Sequence, residues 1–430
     1  MTATPPADGS GSAPILTVTP DPACVTDRLA VTVCGLHPDQ RVTLEAAFAD
    51  LGTEWASEAT FTADGDGRVD LTEHAPVAGD YDGVRPMGLV QFAELAADDS
   101  VHNDTATETT DLHLTARVDG DEVASTTVTR RVAPGVEHTE LDPATDGLAG
   151  DLHVPEDDGP YPGVLALHGS GGEPLGRKAR VLAAEGCVVL ALRYFGGSEP
   201  VCERFAEVPV ADAGRAVDFL RDHPAVTAGD VGVVGVSRGS ELALLAASER
   251  DDIGVVVGYA PSAYTWFGDG DDESAPPSAW TVDGEPLSTL PLPDSDSRGE
   301  ETERGRRGRP MFEAFVADAT DEERRAARLP VEAVAADVVL VSGGDDGVWP
   351  ADQMAETLAV AMRDAAGRVT HHEYADAGHS IFLPYHPTTE RTVVERDDGP
   401  NMVHGGTPTG SAAADRDSWQ HTLDALDALR

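Results

Sequence analysis

One serine, two adjacent aspartates and one histidine occur in this chain in an order that suits acyl transfer. Ser237 sits in Gly235-Val-Ser-Arg-Gly239, Asp345 and Asp346 in Ser342-Gly-Gly-Asp-Asp-Gly-Val-Trp-Pro350, and His379 closes Ala375-Asp-Ala-Gly-His379. A serine hydroxyl attacks a carbonyl only when a base removes its proton, and the base works best when an acid fixes its tautomer. The order nucleophile, acid, base along the chain is the one expected when a G-x-S-x-G turn presents the serine. Of the 14 histidines only His379 has this order and context, whereas His371 and His372 fall inside a strand and read as surface or core residues. The D-x-x-x-P phrase Asp346-Gly-Val-Trp-Pro350 favours Asp346 as the acid, since the second carboxylate points into the site in related loops. Asp345 stays as the alternative, because a shift of one residue reverses side-chain direction in extended chain, and it would otherwise brace the loop. Acyl transfer also needs N–H donors for the oxyanion. The candidates are the amide of Arg238, just after the serine, and Ser170 or Gly171 in the glycine-rich turn His168-Gly-Ser-Gly-Gly172.

These residues need elements to hold them. The apolar run Val231 to Val234 precedes the serine and the helical stretch Ser240 to Ser248 follows it. A strand-to-helix turn of this kind exposes the hydroxyl at the carboxyl edge of a sheet, with a helix N-terminus behind it. Further strands are expected at Pro162 to Leu167, Cys187 to Leu192, Ile253 to Gly258, Asp337 to Val341 and Val369 to Tyr374. Helices are expected at Gly176 to Ala184, Val210 to Asp222, Gly239 to Ser248 and Ala351 to Ala365, with a terminal packing helix over Asp415 to Arg430. Near-continuous apolar strands alternating with helices imply a doubly wound, mostly parallel sheet covered on both faces, an α/β fold. Ligands of such sheets bind beyond the strand carboxyl ends, where all three side chains are expected.

The N-terminal part reads differently. Residues 14–131 hold short alternating segments such as Arg28 to Val33, Arg41 to Phe48, Leu112 to Val118 and Val123 to Val128, with Asp119-Gly120 as a hairpin turn. Such spacing predicts an all-β, immunoglobulin-like sandwich. A linker is expected over 132–149 and the catalytic domain over 150–430. Between about 268 and 310 the helix–strand alternation stops in an acidic, Pro/Ser/Gly-rich stretch, read as a lid-like insertion or loop. Arg304, Arg306, Arg307 and Arg309 follow; they read first as neutralising that stretch or forming a solvated face, with contact to the phosphates of a bound nucleotide-like group as the alternative.

With 77 acidic and 30 basic residues in 430, the chain carries a formal net charge of −47. That field excludes nucleic acids, whose binding relies on clustered Lys and Arg, and disfavours anionic membranes. Lys178 is the only lysine. Dense carboxylates with lysine nearly absent point to adaptation to high salt, which screens their repulsion. Cys24, Cys34, Cys187 and Cys202 have no zinc or redox spacing and read as small core residues in a reducing compartment. Residues 1–12 lack the charged and apolar regions of a signal peptide, and no apolar run reaches the length of a membrane span, so a soluble, cytoplasmic protein is expected. Asp64-Gly-Asp-Gly67 fails as a calcium loop because Arg68 and Val69 follow it, and no phosphate-loop or dinucleotide motif occurs. No cofactor and no metal are expected.

Taken together, the motifs resemble the acyl-CoA thioesterase and bile acid-CoA:amino acid N-acyltransferase family over nearly the whole chain. The resemblance rests on Phe61-Thr-Ala-Asp-Gly-Asp-Gly-Arg-Val-Asp-Leu71 and Tyr81-Asp-Gly-Val-Arg-Pro-Met-Gly-Leu89 in the first domain. In the second it rests on Pro162 to Gly172, Ala191-Leu-Arg-Tyr-Phe195, Asp222-His-Pro-Ala-Val226, Gly235 to Gly239, Gly344 to Pro350, Gly378-His379 and Gly405-Gly-Thr-Pro408. It implies an α/β-hydrolase fold, a triad of Ser237, Asp346 and His379, a fatty acyl-CoA or similar thioester as substrate and coenzyme A as product. Members that pass the acyl group to an amino acid carry Cys at the elbow, so Ser237 favours water as acceptor over N-acyl transfer. The acidic insertion and the missing basic patch are departures that bear on coenzyme A recognition. Two other readings remain at this level: a carboxylesterase or dienelactone-type hydrolase, and an inactive hydrolase scaffold whose sandwich binds a partner.

Overall fold

The computed structural model describes residues 13–96, 106–197, 201–272, 274–292, 299–395 and 400–430. Residues 1–12 and parts of the acidic stretch, 273 and 293–298, lie outside the described residues. The chain divides into two compact units, 1–132 with 385–389, and 133–384 with 390–430.

Among the described residues the first unit is all β apart from the four-residue helix Gly88–Gln91. A seven-stranded sheet is built around Arg41–Asp50, Thr53–Thr62, Thr109–Val118 and Asp121–Arg131, and a three-stranded one from Ile15–Thr19, Ala30–Cys34 and Val69–Asp70. Strand Arg41–Asp50 shows why this sequence makes a sandwich. Val42, Leu44, Ala46 and Phe48 are buried while the residues between them are not, so one face packs and the other meets water. Asp119 (φ 54°) and Gly120 (φ 90°) make the expected hairpin turn.

The second unit holds an eight-stranded sheet. Its strands in chain order are β1 (Val136–Leu141), β2 (Gly150–Pro155), β3 (Gly163–Leu167), β4 (Val188–Leu192), β5 (Val231–Val236), β6 (Ile253–Tyr259), β7 (Asp337–Gly343) and β8 (Val369–Tyr374). They lie side by side as β1-β2-β4-β3-β5-β6-β7-β8. Only the pairs involving β1 and β2 are antiparallel. The main helices are α1 (Gly176–Ala184), α2 (Ala211–Asp222), α3 (Arg238–Glu249), α4 (Ala351–Ala361) and α5 (Pro408–Leu426). β3 and β4 are buried at every position, which explains their unbroken apolar sequence. This is the doubly wound α/β fold that the alternation implied.

Three differences have local causes. Residues 132–149, expected as a linker, contain the edge strand β1, whose charged, mostly exposed sequence shows no apolar pattern. Helix α5 begins at Pro408, earlier than Asp415, because Thr407 caps it by accepting the Gly410 N–H and its first turns are small residues without a visible stripe. In the 268–310 stretch, the described residues include paired strands. Trp280–Val282 pairs with Val208–Pro209, and Glu300–Thr302 forms a hairpin with Gly305–Arg307, which joins Met402–Val403. Trp280 is fully buried, so this part of the stretch is anchored in the fold.

Candidate active site

The chain runs from β3 to β4 on one side and returns to β5 on the other, so the strand order reverses between β3 and β5 and opens a crevice at their carboxyl ends. The His168–Gly172 turn leaves β3 there and Ser237 follows β5. Ser237 has φ 55° and ψ −119°, a backbone that a side-chain-bearing residue adopts only under constraint. The constraint comes from both sides. A Cβ on Gly235 would stand 2.2 Å from the Gly239 carbonyl oxygen, and one on Gly239 would stand 2.3 Å from that of Leu167. Both neighbours are backbone, so only glycine fits, which gives the motif its physical reason. The Ser237 N–H donates to the Tyr259 carbonyl at the end of β6 (2.8 Å) and the Ser237 carbonyl accepts from Ser240, fixing the turn.

The structure brings Ser237, His379 and Asp346 together. His379 Nε2 lies 3.1 Å from Ser237 Oγ, and Nδ1 lies 2.8 Å from Asp346 Oδ2. Asp346 is fully buried, and its other oxygen accepts the N–H groups of Val348 (2.8 Å) and Trp349 (3.1 Å). With these donors in place the carboxylate has one direction left to serve, the imidazole. Asp345 points elsewhere. Its oxygens accept from Arg307 Nη2 (2.7 Å) and from the Gly406 N–H (2.9 Å), so it braces the loop. Burial pushes its carboxyl up, but Arg307 and Gly406 outweigh this and hold it below its ordinary value.

The base and acid loops are clasped by a third segment that the spacing of triad residues did not reveal. The His404 carbonyl accepts both the His379 N–H (2.9 Å) and the Gly347 N–H (3.0 Å). Gly405, with φ 77°, bridges to Asp346, and a Cβ there would be 1.9 Å from the Asp345 carbonyl oxygen. The His404 ring is pushed down to about 3 by burial and by neighbouring His379, so it stays neutral, and its Nδ1 pairs with Ser380 Oγ at 2.6 Å. The only trace of this clasp in the sequence is the Gly405-Gly-Thr-Pro408 phrase.

The segments that carry the expected oxyanion donors adjoin Ser237. A Cβ on Gly169 would be 3.4 Å from Ser237 Cβ, which puts the start of the 168–172 turn against Ser237. Among the described residues no backbone acceptor takes the N–H of Arg238, Ser170 or Gly171. His168 holds the turn through Nδ1, 2.7 Å from the Gly169 carbonyl oxygen. The Arg238 side chain has a separate role that its amide did not suggest. It is buried, with Nη1 2.9 Å from Glu241 Oε1 and Nη2 3.2 Å from the Phe267 carbonyl oxygen, while Trp280 Nε1 donates to the other Glu241 oxygen at 2.8 Å. Burial raises the Glu241 carboxyl and Arg238 opposes it. The basic cluster also differs from expectation in part. Arg306 pairs with Glu301 of the acidic stretch, but Arg307 and Arg309 reach the acid loop, Arg309 donating to the Gly344 carbonyl at 3.1 Å.

An aromatic wall adjoins the histidine. Trp349 meets His379 edge to face (centroids 5.7 Å), Phe312 meets Trp349 (5.7 Å) and Trp266 meets Phe312 (4.8 Å). All four cysteines are free thiols. Among the described residues no group of three or more His, Cys, Asp or Glu is arranged to hold a metal, and no helix is long and apolar enough to cross a membrane.

Comparison with known proteins places two family models on this chain. The BAAT / Acyl-CoA thioester hydrolase C terminal model matches residues 214–428, and the Acyl-CoA thioester hydrolase/BAAT N-terminal region matches 26–143. Acyl-coenzyme A thioesterase 2, mitochondrial, of Rattus norvegicus is 29% identical over 420 residues, covering 93% of this chain and 85% of that protein. Acyl-coenzyme A thioesterase 1 of the same organism is 28% identical, covering 93% and 92%. The peroxisomal succinyl-coenzyme A thioesterase of Mus musculus is 26% identical, covering 93% of both. Among solved structures, a dienelactone hydrolase from Anabaena variabilis is 19% identical with a TM-score of 0.32, covering 56% of this chain and 88% of that one.

Proposed function

The chain belongs to the acyl-CoA thioester hydrolase/BAAT family, and from that premise we propose that it hydrolyses acyl-CoA thioesters through an acyl-enzyme on Ser237. The observation that carries this reading is the relay from Ser237 Oγ to His379 Nε2 (3.1 Å) and from His379 Nδ1 to Asp346 Oδ2 (2.8 Å), set on a strained turn. His379 takes the hydroxyl proton as Oγ attacks the thioester carbonyl, and Asp346 stabilises the imidazolium without taking its proton. The carbonyl oxygen becomes an oxyanion held by the Arg238 amide and by Ser170 or Gly171, at the N-terminus of α3, where the helix dipole favours negative charge. As the intermediate collapses, the C–S bond breaks and His379 protonates the thiolate of coenzyme A. Water then attacks the acyl-enzyme with His379 as base, releasing the free acid and restoring Ser237.

Trp349, Phe312 and Trp266 pack in the core beside His379, with Trp266 and Trp349 buried, and so back the imidazole with a rigid apolar cluster. The serine hydroxyl, in place of a thiol, favours water as the acceptor over an amino acid. The acidic surface and single lysine support a cytoplasmic protein adapted to high salt, for which loss of secondary structure on dilution from molar to millimolar KCl is expected. Unchanged stability would sink that part of the reading.

The test of the mechanism is Ser237→Ala. Hydrolysis of palmitoyl-CoA is expected to fall by about 10⁴-fold or more, with circular dichroism unchanged and labelling by a fluorophosphonate probe abolished. Activity within a few-fold of wild type would remove Ser237 from the reaction. A kcat/KM higher on a p-nitrophenyl ester than on an acyl-CoA of the same chain length would shift the assignment to a carboxylesterase.

A further inference from the structure

Lys178 is the only lysine in the chain; every other basic residue among the 30 is arginine. It lies on α1, six residues beyond the glycine-rich turn, and is 3% exposed. Its Nζ has no hydrogen-bond partner among the described residues and sits 3.7 Å above the centre of the Tyr259 ring. A buried ammonium without an acceptor is costly, and the face of an aromatic ring is one of the few partners that offsets the cost. Burial accordingly lowers the amine to about 7, opposed by the Asp415 carboxylate and reinforced by the Arg391 guanidinium.

The groups facing this amine lead directly to the reacting residues. Tyr259 ends β6, and its carbonyl accepts the Ser237 N–H at 2.8 Å. Its hydroxyl is 2.6 Å from Thr422 Oγ1 on α5. Asp415, fully buried on the same helix, accepts the N–H of Phe382 (2.6 Å), three residues beyond His379, and Nη1 of Arg391 (2.6 Å). The amine therefore sits on the residue that fixes the nucleophile turn, and the carboxylate whose field reaches it holds the chain leaving the base.

We propose that Lys178 is a positioning residue: its ammonium, seated on the Tyr259 ring and attracted by Asp415, holds the end of β6 and the segment after His379 in the register that keeps Ser237 and His379 in reach of each other. This rests on the assignment of Ser237 and His379 as the reacting pair. Loosening either support by a fraction of an ångström lengthens the relay, and catalysis is far more sensitive to such a displacement than folding is.

The experiment compares full-length wild type, Lys178→Met, Lys178→Arg and Ser237→Ala on palmitoyl-CoA. Lys178→Met keeps the length and packing of the stem without the charge, and its kcat is expected to fall about tenfold or more with KM within about twofold and the melting temperature not lowered. Lys178→Arg, which restores a cation, is expected to recover most of the loss. A Lys178→Met kcat within twofold of wild type, or equal losses in the two variants, would overturn the proposal. A second measurement needs no variant. Labelling with [ε-¹³C]lysine gives one side-chain signal, and it is expected to shift when a fluorophosphonate caps Ser237; an unmoved signal would overturn the proposal. A fully active Ser237→Ala would instead overturn the assignment of the reacting pair.

Discussion

The two halves of the candidate site are built in opposite ways. The nucleophile half is one continuous piece, β5, a turn and α3, whose tight turn is dictated by the close approach of Gly235 to the Gly239 backbone four residues on, with Gly239 in turn seated against the end of β3. The acid–base half is assembled from four separated segments, 305–309, 344–350, 375–379 and 402–410, that meet through the His404 carbonyl, the Gly405 bridge and the arginines at 307 and 309. The first half is therefore preorganised by local sterics, and the second by long-range hydrogen bonds. Local construction makes the nucleophile intolerant of any added atom, whereas distributed construction spreads the load over contacts that are individually modest.

The sharpest way to break this comparison is to ask whether the halves act as one unit. Ser237→Ala and His379→Ala are each expected to lower kcat by about 10⁴-fold or more, and the double variant by no more than the worse single. Additive losses, measured under single-turnover conditions, would mean that the two residues do not share a step. Next in size come the two carboxylates. Asp346→Asn is expected to cost about 10³–10⁴ in kcat, because an amide cannot select the imidazole tautomer that accepts the serine proton. Asp345→Asn leaves that bond intact and is expected to change kcat by less than about tenfold while lowering the melting temperature. Reversed sizes would exchange their roles.

The glycines test local against distributed construction. Gly235→Ala forces a methyl against the Gly239 carbonyl of the same turn, 2.2 Å from the Cβ position, and Gly405→Ala forces one against the Asp345 carbonyl at 1.9 Å with φ 77°. Each is expected to destabilise the fold by about 2–4 kcal/mol. The comparison predicts that residual folded Gly235→Ala loses fluorophosphonate labelling, since its turn cannot relax. Residual folded Gly405→Ala keeps labelling within about tenfold, because Asp346 stays held by the Val348 and Trp349 amides. Equal losses of labelling would erase the distinction.

The same contrast explains what could be read from the sequence. The elbow was legible because apolar strand, G-x-S-x-G and helix are contiguous, and the apolar run Val231 to Val234 starts where β5 starts and stops two residues short of its end. The choice of Asp346 over Asp345 was legible only as a preference, since it depends on which backbone amides and which arginine reach each carboxylate, and Arg307 is 38 residues away in sequence. His404 and the buried Arg238–Glu241–Trp280 network were invisible, because a carbonyl oxygen leaves no mark in residue type and an arginine within a G-x-S-x-G motif reads as surface. The edge strand β1 was missed for a related reason: exposed on both faces, it carries no apolar period. The short segment 385–389, which belongs to the first unit although it follows His379 in the chain, has no compositional boundary around it.

The smallest effect is expected at Arg307, where the distributed half meets solvent. The Arg307–Asp345 pair is 2.7 Å long, but the two side chains are 27% and 46% exposed. Screening therefore limits its contribution to under about 1 kcal/mol at neutral pH. The sign of its pH dependence follows from the depressed Asp345 carboxyl. A carboxyl held below its unfolded value of about 3.9 contributes stability that is fully present above that value and disappears as pH falls through the lower, folded value. Thermal unfolding should thus show Arg307→Ala less stable than wild type at pH 7, with the gap closing below about pH 4 as Asp345 is protonated in both proteins. Adding 1 M KCl at pH 7 should close the gap as well, because exposed pairs are screened. A gap that survived both acid and salt would show that Arg307 supports the acid loop through packing of its aliphatic stem, and the distributed half would then be held by shape as firmly as the nucleophile turn.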